Sequence, residues 1–239
     1  GTTSFGFTVS LSAVSGVAAS VNFATANGTA TLADNDYQTA SGTVNFPAGT
    51  TTQPVTVLVN GDLSPEADET FTVTLSVPIN GTIATGTGTG TIQNDDAVPS
   101  VSLAAAPVQA EGNAGTTNFS FTVNLSAATG VPVTVFYQTS DGTATTADND
   151  YVAANSSIII PATQTSGTIV VSVNGDTKYE NLETFGLALT SATNATLGAP
   201  ASVSAGIQND DSAPTVSIDS VSLLEGNAGT TAFSFNVSL

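Results

Sequence analysis

The stretch that decides the fold runs from residue 115 to residue 125 and reads Gly-Thr-Thr-Asn-Phe-Ser-Phe-Thr-Val-Asn-Leu. From Phe119 to Leu125 an apolar residue occupies every second position, and Ser, Thr or Asn fills the positions between. Successive side chains of a β-strand point to opposite faces, so this alternation predicts a strand with one buried and one solvated face.

The same alternation recurs along the chain, at residues 55–59, 71–75 and 169–173. Asn-Gly or Asp-Gly pairs, which favour tight turns, occur at residues 27–28, 60–61, 141–142 and 174–175. No stretch combines a helical period with capping residues. The pattern therefore predicts an all-β protein made of Ig-like antiparallel β-sandwiches with about seven strands each.

Several short motifs show that the chain repeats itself at intervals of 114 or 115 residues. Gly-Thr-Thr occurs at residues 1–3, 115–117 and 229–231. Ala-Asp-Asn-Asp-Tyr at residues 33–37 recurs at 147–151, and Gln-Asn-Asp-Asp at 93–96 recurs at 208–211.

These repeats divide the chain into three segments. We predict that residues 1–97 form a first repeat without its opening strand, residues 98–212 a complete repeat, and residues 213–239 the start of a third. Because the chain opens in the middle of a repeat, we expect it to be a slice of a longer tandem array. The joins at residues 97–99 and 212–214 each contain a proline and are too short for flexible linkers, so neighbouring domains should lie end to end.

The charge balance is strongly acidic, with 19 acidic residues against the single base Lys178 and a net charge of −18. This balance excludes phosphate-backbone binding to nucleic acid and attraction to anionic membranes as main activities. No apolar run reaches the length of a membrane span, so we expect no membrane insertion within this sequence. His and Cys are absent, which leaves carboxylate and carbonyl oxygens as ligands, and these suit hard cations such as calcium.

The acidic residues are concentrated in four short segments of the complete repeat, all at strand ends or turns. They are Glu111; Asp148 and Asp150; Asp176, Glu180 and Glu183; and Asp210 and Asp211. Gathering so many like charges at one end of a sandwich is repulsive, whereas a calcium ion binds six to eight oxygens and can hold several carboxylates. Ordinary surface acidity and another cation stay open as alternatives at this point.

The ordered set of motifs resembles the Calx-beta domain. It comprises residues 141–144 (Asp-Gly-Thr-Ala), 148–151 (Asp-Asn-Asp-Tyr), 174–176 with 183–185, and 207–211 (Ile-Gln-Asn-Asp-Asp). Members occur in the regulatory loop of sodium–calcium exchangers, in integrin-type membrane proteins and in bacterial surface proteins. The resemblance implies a seven-stranded sandwich that binds Ca²⁺ through an early Glu, the Asp before the Tyr, an acidic loop and a terminal Asp run.

Transferred by motif, the resemblance implies three sets of calcium ligands. The first repeat would use Asp36, Asp62, Glu66, Glu69, Asp95 and Asp96; the second would use Glu111, Asp150, Asp176, Glu180, Glu183, Asp210 and Asp211; and Glu225 would serve the third. The sequence also departs from the exchanger pattern, because Asn94 and Asn209 replace an Asp and Leu182 replaces an acid. These departures imply fewer or weaker calcium ions in each domain.

We expect the chain to have a mechanical role and not a catalytic one. We expect a repeat region of an extracellular or cell-surface fibre, stalk or adhesin, stiffened by calcium at the domain ends, with adjacent copies of the same repeat as partners and possible self-assembly into fibres. The alternative is a calcium-dependent sensor or binding module for a protein or glycan, with tyrosines as candidate stacking residues. We do not expect an enzyme, because the same carboxylates recur in every repeat and no nucleophile–base pair accompanies them.

Overall fold

The computed structural model describes residues 1–239 and consists of β-strands connected by loops. None of its elements is an apolar helix of membrane-spanning length. The chain divides into two compact units. The first unit comprises Gly1–Pro99 with Ala128–Pro132 and Pro161–Gln164, and the second comprises Ser100–Ala127, Val133–Ile160 and Thr165–Leu239.

The first unit contains six strands in two sheets. They are β1 (Thr2–Ser10), β2 (Ala19–Asn27), β3 (Ser41–Phe46), β4 (Thr52–Asn60), β5 (Glu69–Ile79) and β6 (Thr87–Ile92). Strands β1 and β4 pair along their whole length, and the second sheet has the order β3-β2-β5-β6, with every pairing antiparallel.

The second unit contains a complete sandwich. Its strands are β7 (Ser100–Leu103), β8 (Val108–Ala110), β9 (Thr116–Leu125), β10 (Val133–Asp141), β11 (Asn155–Ile160), β12 (Ser166–Asn174), β13 (Glu183–Thr193), β14 (Thr196–Leu197) and β15 (Ser202–Gln208). One sheet has the order β12-β9-β7-β14 and the other β11-β10-β13-β15-β8.

The all-β sandwich predicted from the alternation is confirmed, although the strand count of the second unit exceeds seven. Its opening segment is interrupted before Pro107, which has no N–H to donate. As a result β7 pairs with β9 in one sheet, whereas β8 pairs in parallel with β15 in the other. The additional strand β14 is only two residues long.

An aromatic cluster forms the centre of each core. In the second unit Phe185 is fully buried, Tyr151 stacks on it at a centroid distance of 4.6 Å, and Phe119 and Phe121 approach it at 5.9 and 6.1 Å. The first unit repeats the arrangement around buried Phe71, on which Tyr37 stacks at 4.8 Å. The apolar positions of the alternating pattern thus face the interior between the sheets.

The final residues of the chain contain only β16 (Ser217–Ile218) and β17 (Val237–Ser238), which pair antiparallel through two residues each. Apolar side chains of this segment are solvent-exposed, including Val216 at 68% and Leu224 at 92%.

Replacing Phe185 with Ala should destabilise the second unit by about 3–5 kcal/mol, because the change leaves a cavity among three aromatic neighbours. Phe136→Ala is the matched control, since Phe136 lies in the same unit but is 41% exposed, and it should cost less than about 1 kcal/mol. Chemical denaturation followed by tyrosine fluorescence measures both changes. Equal losses would contradict the proposed role of the aromatic cluster.

Candidate metal centre

Four chain segments meet at one end of the sandwich in the second unit. They are the turn after β8, the loop after β10, the loop between β12 and β13, and the residues after β15. The antiparallel register brings these strand ends together, since Asp141 lies opposite Phe185, Asn174 opposite Thr116, and Glu183 opposite Ile207. Each of the acidic segments predicted from the sequence lies in or beside one of these connections.

The first carboxylate group consists of Asp150, Glu180 and Glu183, each of which has a carboxylate oxygen within 4.8 Å of the others. Asp150 is buried and its Oδ2 accepts a hydrogen bond of 2.7 Å from the backbone N–H of Thr145. The amide of Asn174 donates to the carbonyl of Asn149 at 2.7 Å and so fixes the loop that carries Asp150.

The second group consists of Glu111, Asp210 and Asp211, again with oxygens within 4.8 Å of one another. Glu111 is only 3% exposed, which is exceptional for a carboxylate with no cationic partner. The side chain of Asn113 donates to Asp211 Oδ1 at 3.0 Å. The other oxygen, Asp211 Oδ2, is buried and has no hydrogen-bond partner, so the site contains an acceptor whose requirement no group of the protein meets.

Gly175 permits the close packing that brings the two groups together. A Cβ at this position would clash with the carbonyl oxygen of Gly112, while the Gly175 N–H donates to the Gly115 carbonyl at 3.0 Å. The loop that begins at Gly175 and continues to Glu180 therefore lies against the turn that carries Glu111.

The charges of the two groups affect each other. Burial raises the pKa of Glu111 to about 7, and the charges of Glu180, Asp176 and the terminal aspartates add to this effect. Because Glu180 belongs to the first group, the groups are close enough to repel each other. Burial likewise raises the pKa of Glu183 to about 7, with Asp150 the next contributor.

Lys178 is the one base near these acids. Its ammonium lies 3.3 Å from Glu180 Oε1 and 3.6 Å from Asp176 Oδ2, and its side chain is 60% exposed. Exposed pairs of this kind contribute little, so Lys178 offsets only a small part of the repulsion. The equivalent residue of the first unit is Ser64, which has no charge.

The first unit builds a similar group from Asp36, Glu66 and Glu69, whose oxygens lie within 4.8 Å of one another. Thr31 N–H donates to Asp36 Oδ2 at 2.6 Å, as Thr145 does to Asp150. Burial is the main cause of the raised pKa of both Glu66 and Glu69. All six acids predicted for this repeat line one cavity of about 400 Å³: Asp36, Asp62, Glu66, Glu69, Asp95 and Asp96.

The other predicted ligands lie at different distances from the three carboxylate groups. Asp176 adjoins the groups through its charge on Glu111 and Asp211, and Asp62, Asp95 and Asp96 line the first unit's cavity without forming a three-residue group. Glu225 is exposed and belongs to none of the three groups. The backbone carbonyl of Glu225 accepts a hydrogen bond from the Thr231 hydroxyl.

Asparagine residues hold the acidic loops together, a role that the sequence interpretation missed. Asn209 Oδ1 accepts the backbone N–H of Glu180 at 3.0 Å, while its Nδ2 donates to the Asp211 carbonyl at 2.8 Å. Asn94 makes the corresponding bonds to Glu66 and Asp96. The recurrence of Asn at both positions was the available signal, but it was interpreted only as a lost charge.

Asp141, which begins the Asp-Gly pair at residues 141–142, lies outside both groups. It accepts a hydrogen bond of 2.6 Å from the Tyr151 hydroxyl, and this bond is the main cause of its lowered pKa. Tyr37, Tyr137 and Tyr151 are buried, whereas Tyr179 is 54% exposed. Three of the four candidate stacking residues therefore belong to the cores, which weakens the case for a glycan site.

The spacing within each group suits one hard cation. Oxygens that each lie about 2.4 Å from a calcium ion can be no more than about 4.8 Å apart, and every group meets this limit. The donors are all oxygens, which is the ligand type that calcium prefers. The residues present therefore fit a calcium ion at each group.

Comparisons with known proteins identify one family and several similar solved structures. The Calx-beta domain family matches the chain twice, at residues 2–96 and 93–211. The crystal structure of CBD12 from CALX1.2 is 20% identical over 85% of this chain and 92% of that chain, with a TM-score of 0.40. The crystal structure of the apo-form Calx CBD1 domain is 22% identical over 46% of this chain and 98% of that chain, with a TM-score of 0.38. No curated protein matches the chain.

Without metal, acidification should stabilise the second unit. Its folded state holds the pKa of Glu111 and Glu183 at about 7 against an ordinary value of 4.5, so it binds protons more tightly than the unfolded state does. Stability is therefore lost as the pH rises through about 7 and regained on acidification towards about 5. In chelator, we expect the melting temperature to rise by roughly 5 °C from pH 8 to pH 5.5.

The matched control for this experiment is the double variant Glu111→Gln and Glu183→Gln, which removes both titrating groups and should abolish most of the pH response. A melting temperature that falls on acidification in chelator would contradict the electrostatic account of the site.

Proposed function

The chain belongs to the Calx-beta domain family, and we propose that it binds calcium ions through the carboxylate groups at one end of each sandwich. The observation that carries this proposal is the second group, in which three carboxylates meet, Glu111 is almost fully buried, and Asp211 Oδ2 has no partner. A divalent cation would satisfy that oxygen and remove the repulsion in one step.

The number of complete groups predicts a different stoichiometry for each unit. The second unit has two groups and should bind two ions, with Glu180 between them. Residues 1–99 form one three-carboxylate group, Asp36, Glu66 and Glu69, and should bind one ion there.

Calcium binding would connect the four segments that carry the carboxylates of the second unit. Each ion would connect loops from different strands, for example Asp150 after β10 with Glu180 and Glu183 before β13. Since the ion binds the folded arrangement only, its binding energy adds to the stability of the domain. Lys178 would have to leave Glu180 when an ion binds there, which should weaken binding at that group slightly.

We further propose that the chain serves as a structural repeat region of an extracellular or cell-surface fibre, stalk or adhesin. Three observations support this role: the regular sequence period, the similar pairs of sheets in the two units, and the three-residue spacing from Asp96 to Pro99 and from Asp211 to Pro214. A metal bound to these aspartates would hold the last residues of one domain close to the join. Calcium sites of extracellular modules have dissociation constants of about 10⁻⁴–10⁻³ M, and we expect an affinity in that range for an extracellular repeat region.

Calcium should raise the melting temperature of the chain by several degrees, and chelator should reverse the effect. At a calcium concentration one hundred times the dissociation constant, each site contributes about 2.7 kcal/mol. Asp150→Ala and Asp211→Ala should each remove calcium binding at one group of the second unit. Calorimetric titration with calcium and thermal melts measure both effects.

Asp141→Asn is the matched control, because it also removes one negative charge from the second unit and because Asn27 occupies the equivalent position in the first unit. Its calcium response should remain that of the unmodified chain. If all three variants reduced the response equally, the carboxylates would act only through net charge, and the site assignment would be wrong.

If calcium stiffens the joins, a chain of three or more repeats should be longer and straighter with calcium than with chelator. Small-angle scattering measures its maximum dimension, and electron microscopy its curvature. Unchanged values on calcium removal, together with unchanged calcium-dependent stability, would restrict the ion to a stabilising role inside each domain.

A further inference from the structure

An Asn-Gly pair lies between the two carboxylate groups of the second unit. Asn174 is the last residue of β12, and Gly175 follows it. The side-chain amide of Asn174 donates to the carbonyl of Asn149 at 2.7 Å, next to Asp150 of the first group. The backbone N–H of Asn174 donates to the carbonyl of Asp150 itself at 2.9 Å. Asn174 therefore fixes the loop that carries Asp150 through two hydrogen-bond donors.

Gly175 contacts the turn that carries the other group. Its N–H donates to the Gly115 carbonyl at 3.0 Å. A Cβ at this position would clash with the carbonyl oxygen of Gly112 and would lie 3.0 Å from that of Glu111. Because no residue with a side chain fits there, the packing of the turn requires a glycine directly after Asn174.

Asn-Gly pairs are prone to deamidation, because glycine has no side chain that hinders the reaction. The backbone nitrogen of the glycine attacks Cγ of the asparagine and loses its proton. The Cγ–Nδ2 bond breaks, ammonia departs, and a cyclic succinimide remains. Water then opens the ring at either carbonyl, which gives aspartate or isoaspartate. The net reaction replaces ammonia with water, and water is the only co-reactant.

We propose that deamidation of Asn174 abolishes calcium binding by the second unit, and that bound calcium in turn protects Asn174 from the reaction. The parts that concern calcium rest on the proposed function, whereas the reaction itself does not. Two features of the site carry the proposal. The amide of Asn174 is a hydrogen-bond donor that a carboxylate cannot replace, and the fold cannot exchange the glycine that makes the pair reactive.

Both products of the reaction disturb the acidic end of the sandwich. In aspartate, a carboxylate oxygen replaces the Nδ2 donor that lies 2.7 Å from the Asn149 carbonyl oxygen. Two acceptors at this distance repel each other, so the loop that carries Asp150 loses its fixed position. In isoaspartate, the backbone contains an additional methylene group before Gly175, which displaces that residue from its close packing against Gly112.

The folded state holds both reacting groups in other bonds. The N–H of Gly175 donates to Gly115, and Nδ2 of Asn174 donates to Asn149. The reaction therefore requires local opening at the end of β12. An ion at either carboxylate group binds the closed arrangement only, so calcium lowers the open population and with it the rate of deamidation. A unit that stays without calcium would lose its binding site irreversibly.

Asn80-Gly81 provides an internal reference for this reaction. Asn80 also donates through Nδ2 to a backbone carbonyl, that of Ala18 at 2.8 Å, so the leaving groups of the two sites are matched. Asn80 follows β5 at the end opposite Glu69, away from the carboxylate group of its unit. Both residues of the pair are exposed, and the space beside Gly81 is open. Its deamidation should therefore not respond to calcium.

Incubation of the whole chain at mildly alkaline pH, in calcium and in chelator, measures both reactions when it is followed by peptide mass mapping. In chelator, Asn174 should convert to aspartate and isoaspartate. Saturating calcium should slow this conversion by at least about tenfold, whereas conversion of Asn80 should be equal in the two buffers. An Asn174 that stays intact in chelator while Asn80 reacts would overturn the proposal.

The variant Asn174→Asp reproduces one product and separates its geometry from its charge. By charge alone, an additional carboxylate near a cation site strengthens calcium binding. The lost donor predicts the opposite, a decrease of at least about tenfold in the calcium affinity of the second unit, measured by calorimetric titration. The matched control Asn118→Asp adds the same charge at an exposed position of β9 and should not weaken binding. An Asn174→Asp variant that binds calcium as tightly as the unmodified chain would contradict the inference.

The deamidated form of the unmodified chain gives the same measurement whether or not Asn174→Asp folds. Anion exchange separates it by its additional negative charge, and peptide mapping identifies the fraction modified at Asn174. This fraction should bind calcium in the first unit only. If the intact chain binds no calcium, the proposed function fails. If it binds calcium but Asn174 converts equally fast in calcium and in chelator, only the present inference fails.

Discussion

Repulsion among buried carboxylates is the constraint on which the site depends. The fold brings Glu111 into a position that is 3% exposed, with Asp210, Asp211 and Glu180 nearby. Proton uptake relieves this repulsion only in part at neutral pH, because the pKa of Glu111 and Glu183 is about 7, and Lys178 adds little because its ion pairs are exposed. A folded end of this composition is therefore incomplete without a cation, and calcium binding and domain stability become one equilibrium.

Backbone geometry provides the precision of this arrangement. Gly175 allows its loop to pack against the carbonyl of Gly112, and Asn209 ties Glu180 to the terminal aspartates. In the first unit Asn94 makes the same connection. Because these bonds involve backbone groups and neutral side chains, they position the carboxylates without neutralising them, which leaves the carboxylate oxygens available to an ion.

The sequence was sufficient for the fold, since alternation marks the strands and the 114-residue period marks the repeats. It also marked the acidic segments that contain the three carboxylate groups. It could not divide the acids into groups. Which oxygens converge depends on loop conformation, such as the left-handed backbone of Asn149 at φ 70°, and on contacts between loops distant in sequence. The bridging role of Asn209 was missed for the same reason, because composition shows only that a charge is absent there.

The opening segment of the second repeat contributes both to the core and to the acidic end of the sandwich. Phe121 is buried in the core, and β9, the strand that carries it, pairs with β7 from the same repeat. The segment that begins with β7 leads to the turn that carries Glu111 beside Asp210 and Asp211. One segment of the second repeat therefore both packs in the core and supplies a carboxylate to the acidic end, so apolar packing and cation binding stabilise the same folded arrangement.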